Sequence, residues 1–264
     1  MDRENKPIGV FDSGLGGLTV VKEIIKLLPN ENIVYFGDTA RVPYGTRSNE
    51  IIKKFSEEDV KFLLSKKVKC IAIACHTSSA VAGNYLTRKF PNIPIFDVVS
   101  PVLESLKASK NLPAGRQGRI GVIGTRATIG SGVYSKLNKV VQVPCPLFVP
   151  FIEEGEVKGK LIESLVKKCV GTLKVDTLVL ACTHYPIIKD VIKGVLPNTE
   201  LINPGILIAE KLKKYLIKNN LVNDQKTIAK QNYYVTDLNE RFIKVANMFL
   251  GENINARINR VSFE

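Results

Sequence analysis

Two stretches of this chain rhyme, and that repetition limits what it can fold into more than any other feature. PIGVFDSGLGG (7–17) is echoed by RIGVIGTRATIGSG (119–132), placing Gly9 and Gly121 112 positions apart. CIAIACHTSSA (70–80) is echoed by TLVLACTHYP (177–186), placing Cys75 and Cys182 107 positions apart. Similar offsets predict two related units whose equivalent loops face each other.

Each unit reads as short apolar strands alternating with amphipathic helices. IGVFD (8–12), IVYFGD (33–38), CIAIAC (70–75) and PIFDVV (94–99) are runs of strand length rich in β-branched and aromatic residues. Helical spacing of apolar residues separates them from Leu18 to Leu28 and from Ile51 to Ser65. The second half offers RIGVIGT (119–125), CPLFVPF (145–151), DTLVLAC (176–182) and TELINP (199–204) as strands. Continuous apolar strands joined by helices predict parallel sheets covered on both faces. The expected class is therefore α/β, with two pseudo-symmetric domains, each a mostly parallel sheet covered by helices, and a site in the cleft between them. NYYVTD and the helical FIKVANMFLG near the end return to complete the first domain, giving 1–98 plus 211–264 for one domain and 99–210 for the other. The turn-rich KASKNLPAGRQGRI (107–120) is read as a link or surface loop without chemistry.

At 264 residues, 45% apolar and 24% charged, the chain can bury two cores. No apolar run reaches the roughly 18 residues of a membrane span, and MDRENKPIGV carries no signal-peptide core. A cytoplasmic protein with no membrane partner is expected. The formal charge of +13 suits anionic partners, but the lysines lie scattered on helices such as KKFSEEDVKFLLSKK, as on solvated faces, so no nucleic-acid partner is expected. Five cysteines without a CxxC pair are read as free thiols.

Cys75 and Cys182 each end an apolar strand and open a polar turn leading to a helix, where ligands bind in such sheets. The dipole of a helix starting there lowers a thiol's pKa, and a thiolate serves as nucleophile or base. Two buried structural cysteines would give the same local pattern. The pair in matching positions suits a reaction that removes a proton from one face and returns it to the other. The chain has two histidines, His76 and His184, and both sit beside these cysteines. They could tune the thiols or, with them, bind zinc; adjacent Cys-His and Cys-x-His do not match common zinc spacings. Asp12-Ser13 opens the GLGG turn, and Asp12 either caps the next helix or meets a substrate ammonium. Gly14-x-Gly16 with Asp38 on the next strand resembles a dinucleotide site weakly, because Thr19 occupies the third glycine position. GDTARVPYGTRS (37–48) offers the Tyr44 hydroxyl and the Gly45 backbone as substrate contacts. Glu153, expected just after a strand, is placed to orient His184.

DSGLGGLTV, GDTARVPYG and CTHYP, with PLFVPFIEEGE and YYVTD, resemble the glutamate racemases of the aspartate/glutamate racemase superfamily over nearly the whole chain. The resemblance implies interconversion of L- and D-glutamate without metal, pyridoxal phosphate or nucleotide, supplying D-glutamate for peptidoglycan, and often a homodimer. It implies Cys75 and Cys182 as the acid–base pair, supported by Asp12 and by His184 with Glu153. Asp12, Ser13, Tyr44, Gly45, His76, Thr77, Thr183 and His184 would line the substrate site. One departure stands out: Cys75-His76-Thr77 has histidine where the family usually has asparagine, and a protonated imidazole would draw a carboxylate more strongly. A racemase for aspartate or another acidic amino acid, and a non-catalytic binder of an anionic ligand or nucleic acid, are the competing readings.

Overall fold

A computed structural model describes residues 3–108, 118–224, 228–238, 240–251 and 257–262. Most of the 107–120 connection lies outside them. The first unit alternates β1 (Ile8–Asp12), α1 (Leu18–Leu27), β2 (Ile33–Gly37), α2 (Asn49–Ser65), β3 (Cys70–Ile73), α3 (His76–Lys89), β4 (Ile95–Asp97) and α4 (Ser100–Ala108). The second runs β5 (Ile120–Gly124), α5 (Arg126–Gly130), β6 (Val140–Pro144), α6 (Phe148–Glu153), α7 (Lys160–Val170), β7 (Thr177–Ala181), α8 (Lys189–Val195) and β8 (Glu200–Ile202). Then follow α9 (Pro204–Lys218), β9 (Gln231–Val235), α10 (Glu240–Leu250) and β10 (Ile258–Arg260).

One sheet has the order β10-β9-β2-β1-β3-β4 and the other β6-β5-β7-β8, and the recorded pairings are all parallel. The second sheet therefore repeats β2-β1-β3-β4 strand for strand, and β9 and β10 extend the first along the β2 edge. The repeat reaches the packing. A Cβ on Gly9 would stand 3.1 Å from Val68, and one on Gly121 would stand 3.1 Å from Val175. Val68 and Val175 are themselves 107 positions apart. In both units the central strand needs a glycine because the residue leading into the next strand packs across it. α9 packs on α1 and α4 of the first unit and also meets β7 of the second, so it touches elements of both halves and runs through position 210.

Helices form where apolar spacing is 3.6 residues. Ile52, Ser56, Val60 and Leu63 of α2 are buried, and Ser48 caps its start by accepting from the Ile51 N–H at 3.4 Å. One apolar run departs from expectation. CPLFVPF is not a strand: Val140–Pro144 is, and 145–147 turn into α6. Pro144 ends the ladder, and Phe148 and Ile152, four apart, bury one helical face. Glu153 accordingly closes a helix instead of following a strand.

The cysteines also differ from expectation. Cys145 and Cys169 form a disulfide with Cα atoms 6.3 Å apart, within the range that such a bond bridges. Cys145, just beyond β6, meets the last turn of α7. Cys70, Cys75 and Cys182 are free and buried. A second buried staple is ionic: Lys69 Nζ contacts Glu31 Oε2 at 2.5 Å and the carbonyls of Glu4 and Leu221 at 2.7 Å. Among the described residues, no helix is long and apolar enough to cross a membrane.

Candidate active site

Four strand ends converge, and they meet in pairs that the repeat relates. The loop after β1 packs on the turn after β7: a Cβ on Gly16 would stand 2.2 Å from Thr183 Oγ1 and 2.6 Å from the His184 ring. Thr19 donates its hydroxyl to the Thr183 carbonyl at 2.8 Å. The turn after β3 packs on the loop after β5: Thr77 Oγ1 lies 3.0 Å from Thr125 Oγ1 and 3.5 Å from Thr128 Oγ1. Since β1 corresponds to β5 and β3 to β7, each contact is the pseudo-symmetric image of the other.

Cys75 and Cys182 thus sit at equivalent strand ends of facing units, 4% and 6% exposed. Cys75 is the N-cap of α3, accepting from the Ser78 N–H at 3.4 Å, with Ser13 Oγ 3.6 Å from its sulfur. The helix start does not leave this thiol acidic. Burial, then the nearby Asp12 charge, push it up to about 11, against the hydrogen bonds from Ser78 and Ser13. Cys182 Sγ lies 3.7 Å from His184 Nδ1, and His184 Nε2 lies 2.9 Å from Glu153 Oε1. Burial alone would lower the pKa of His184, but hydrogen bonds to Cys182 and Glu153 and their charges raise it to about 10. The ring of Phe249, from α10, meets His184 edge-on at 5.7 Å.

Asp12 is fully buried and accepts from the Gly14 N–H at 3.0 Å, while Thr183 Oγ1 lies 3.5 Å from its other oxygen. Burial raises its pKa, opposed by His184 and by the Gly14 and Gly17 N–H groups. It braces the glycine turn without serving as helix cap; that position is Gly17.

Several of the polar groups singled out in the sequence have partners inside the protein. The Tyr44 hydroxyl donates to Asp38 at 2.5 Å and lies 3.1 Å from Asp59, while its ring shares a buried apolar cluster with Ile52 and Cys75. Asp38 also accepts from Arg41 at 2.6 Å and Thr236 at 3.0 Å, which removes it from any ribose-binding role. Gly45 does reach the junction: a Cβ there would stand 2.8 Å from Thr125 Cβ. His76 Nε2 pairs with the Tyr134 hydroxyl at 2.7 Å, and burial lowers its pKa to about 3. The ring is therefore neutral near pH 7, and the attraction expected of a protonated imidazole is absent. A small cavity lined by Thr19, His76, Cys182, Thr183, Asn203 and Gly205 lies at this junction.

Sequence reasoning missed Thr125, Thr128, Tyr134 and Phe249. Thr125 was findable, because it aligns with Ser13 in the rhyme between VFDSG and VIGTR. Thr128 lies in the same stretch but opposite Gly16, and Tyr134 and Phe249 carry no motif.

Residues 8–212 match the Asp/Glu/Hydantoin racemase family. A glutamate racemase of Thermoanaerobacter pseudethanolicus is 40% identical over 262 residues, covering 95% of this chain and 96% of that one. Glutamate racemase of Francisella tularensis in complex with D-glutamate superposes with a TM-score of 0.89 at 41% identity, covering 98% of both chains. The Thermus thermophilus glutamate racemase in complex with beta-chloro-D-alanine gives 0.89 at 36%, again with 98% of each chain covered. With two thiols at pseudo-symmetric strand ends and likeness over almost its full length, the chain belongs to the Asp/Glu/hydantoin racemase family and, within it, to the glutamate racemases.

Proposed function

We propose that this protein interconverts L- and D-glutamate by two-base proton transfer between Cys75 and Cys182. The observation that carries this reading is the placement of both buried thiols at equivalent strand ends of facing units, each with its own supporting groups. One sulfur enters as thiolate and removes the α-proton, leaving the C–H electron pair in an enediolate-like carboxylate. The opposite S–H delivers a proton to the other face, and the roles reverse for the other enantiomer. Backbone N–H groups of the two cysteine turns, with Thr77 and Thr183, stabilise the growing carboxylate charge. Ser13 and the Gly45 backbone complete the substrate's surroundings. Asp12 supports transfer at Cys75. His184 holds a proton 3.7 Å from Cys182, and Glu153 is a positioning residue that keeps its ring in place.

The chemistry uses this chain's own side chains, with no metal, pyridoxal phosphate or nucleotide. The division into 1–98 plus 211–264 and 99–210, with α9 as the bridge, lets the halves close on substrate and exclude water. The product serves peptidoglycan synthesis, and the enzyme works in the cytoplasm as a homodimer. Glutamate is favoured over aspartate because the relatives named above are glutamate racemases.

The test is incubation with L-glutamate in D2O with EDTA and no added cofactor, following α-deuterium by NMR and enantiomers by chiral chromatography. Deuterium uptake with D-glutamate formation supports the reading. Exchange with aspartate alone moves the substrate, and no exchange with either refutes racemisation.

A further inference from the structure

His76 follows Cys75 directly and is the first residue of α3, yet its ring is committed to the other half of the molecule. Its Nε2 lies 2.7 Å from the hydroxyl of Tyr134, which belongs to the segment between α5 and β6. The two rings stack with centroids 6.0 Å apart and planes 23° from parallel. Tyr134 is fully buried and His76 is 3% exposed. A buried phenol O–H left without an acceptor is costly, so the tyrosine donates and Nε2 accepts. The neutral imidazole that burial maintains is the form that can accept. The next residue, Thr77, is tied to Thr125 and Thr128 of the same half. Two consecutive residues thus fasten the first turn of α3, whose cap is Cys75, across the junction.

We propose that His76 is a positioning residue for Cys75, holding the sulfur's turn against the second unit through the Tyr134 hydroxyl instead of touching substrate. This rests on Cys75 acting as one of the two bases.

The side-chain amide of glutamine reaches where histidine's Nε2 lies, and that of asparagine reaches only Nδ1, so the two replacements separate the roles. The experiment compares Tyr134→Phe, His76→Gln and His76→Asn, with kcat and KM for both enantiomers and α-deuterium isotope effects. Tyr134→Phe and His76→Asn should lower kcat about tenfold with KM within about twofold, since small misplacements of a reacting group act on kcat. The isotope effect should rise for the one enantiomer whose proton Cys75 removes, and His76→Gln should restore most of the rate. The reverse order, with His76→Asn near wild type and His76→Gln raising KM about tenfold, would mean direct substrate contact and overturn the proposal. The comparison of the two His76 variants stands even if Tyr134→Phe fails to fold. Iodoacetamide labelling of Cys75, read by peptide mass spectrometry, separates this idea from the racemase reading. If wild-type protein does not racemise glutamate, Tyr134→Phe should still speed Cys75 labelling about threefold or more. Unchanged labelling would refute positioning whatever the activity.

Discussion

Glu153 Oε1 lies 2.9 Å from His184 Nε2, and the other ring nitrogen faces the sulfur of Cys182 at 3.7 Å. The carboxylate, at the end of α6, and the thiol, beyond β7, thus clamp one imidazole from both sides. This clamp holds the His184 proton up to about pH 10. A raised histidine pKa contributes stability that is full below its unfolded value near 6.5 and is lost as pH rises through about 10. Glu153→Gln removes one charge from the clamp. The alkaline fall of kcat/KM should move down by about one unit or more in that variant, and the alkaline loss of Tm should start earlier. Superimposable pH profiles for the variant and wild type would show that Glu153 has no such role.

Each thiol has a separate duty in two-base transfer. Cys75→Ser and Cys182→Ser should each reduce racemisation by about 10³-fold or more, because serine is far too weak an acid to replace a thiol as base. Chiral chromatography measures this, and circular dichroism verifies the fold. Activity within about tenfold of wild type in either variant would exclude the mechanism.

Gly16 is the contact point between the β1 loop and the β7 turn. Gly16→Ala places a methyl 2.2 Å from Thr183 Oγ1 and 2.6 Å from His184, so the two turns must separate. An ångström of misplacement costs about 10²-fold, and kcat/KM should fall by about that much. Gly194→Ala is the control: in α8 its added methyl meets nothing within 4 Å, and removing a helix glycine should stabilise by up to about 1 kcal/mol.

Lys69 and Glu31 are buried together, with side chains 0% and 1% exposed. Lys69→Met leaves the Glu31 carboxylate without its cation, and should lower unfolding free energy by about 3–5 kcal/mol. Urea unfolding measures this. The double variant Lys69→Met with Glu31→Leu should recover much of the loss, since it buries no orphan charge.

Strands ending at Asp12, Gly37 and Ala181 were legible because parallel strands buried on both faces are written as unbroken apolar runs. The repeat was legible too, down to the paired glycines, because the same packing recurs at Val68 and Val175. CPLFVPF misled because a seven-residue apolar run fits a strand or one buried helical face equally well. The loop motif singles out Tyr44 but not its hydroxyl's neighbour Asp59 on α2, fifteen positions away. The Cys145–Cys169 bond depends on how α7 lies against β6, and spacing alone does not say so. His76 shows the same limit, for its partner Tyr134 lies 58 positions downstream with no motif around it.

The C-terminal strands have a consequence for how the protein matures in the cell. The GDTARVPYG loop gains its last anchors when Thr236 bonds Asp38 and the Ala40 N–H, and when Asp237 pairs with Thr39. Phe249 reaches His184 from further along still. During synthesis every strand of the four-stranded sheet is translated before these residues are. The second half can therefore set first, while the loop before α2 and His184 still lack their contacts with Thr236, Asp237 and Phe249.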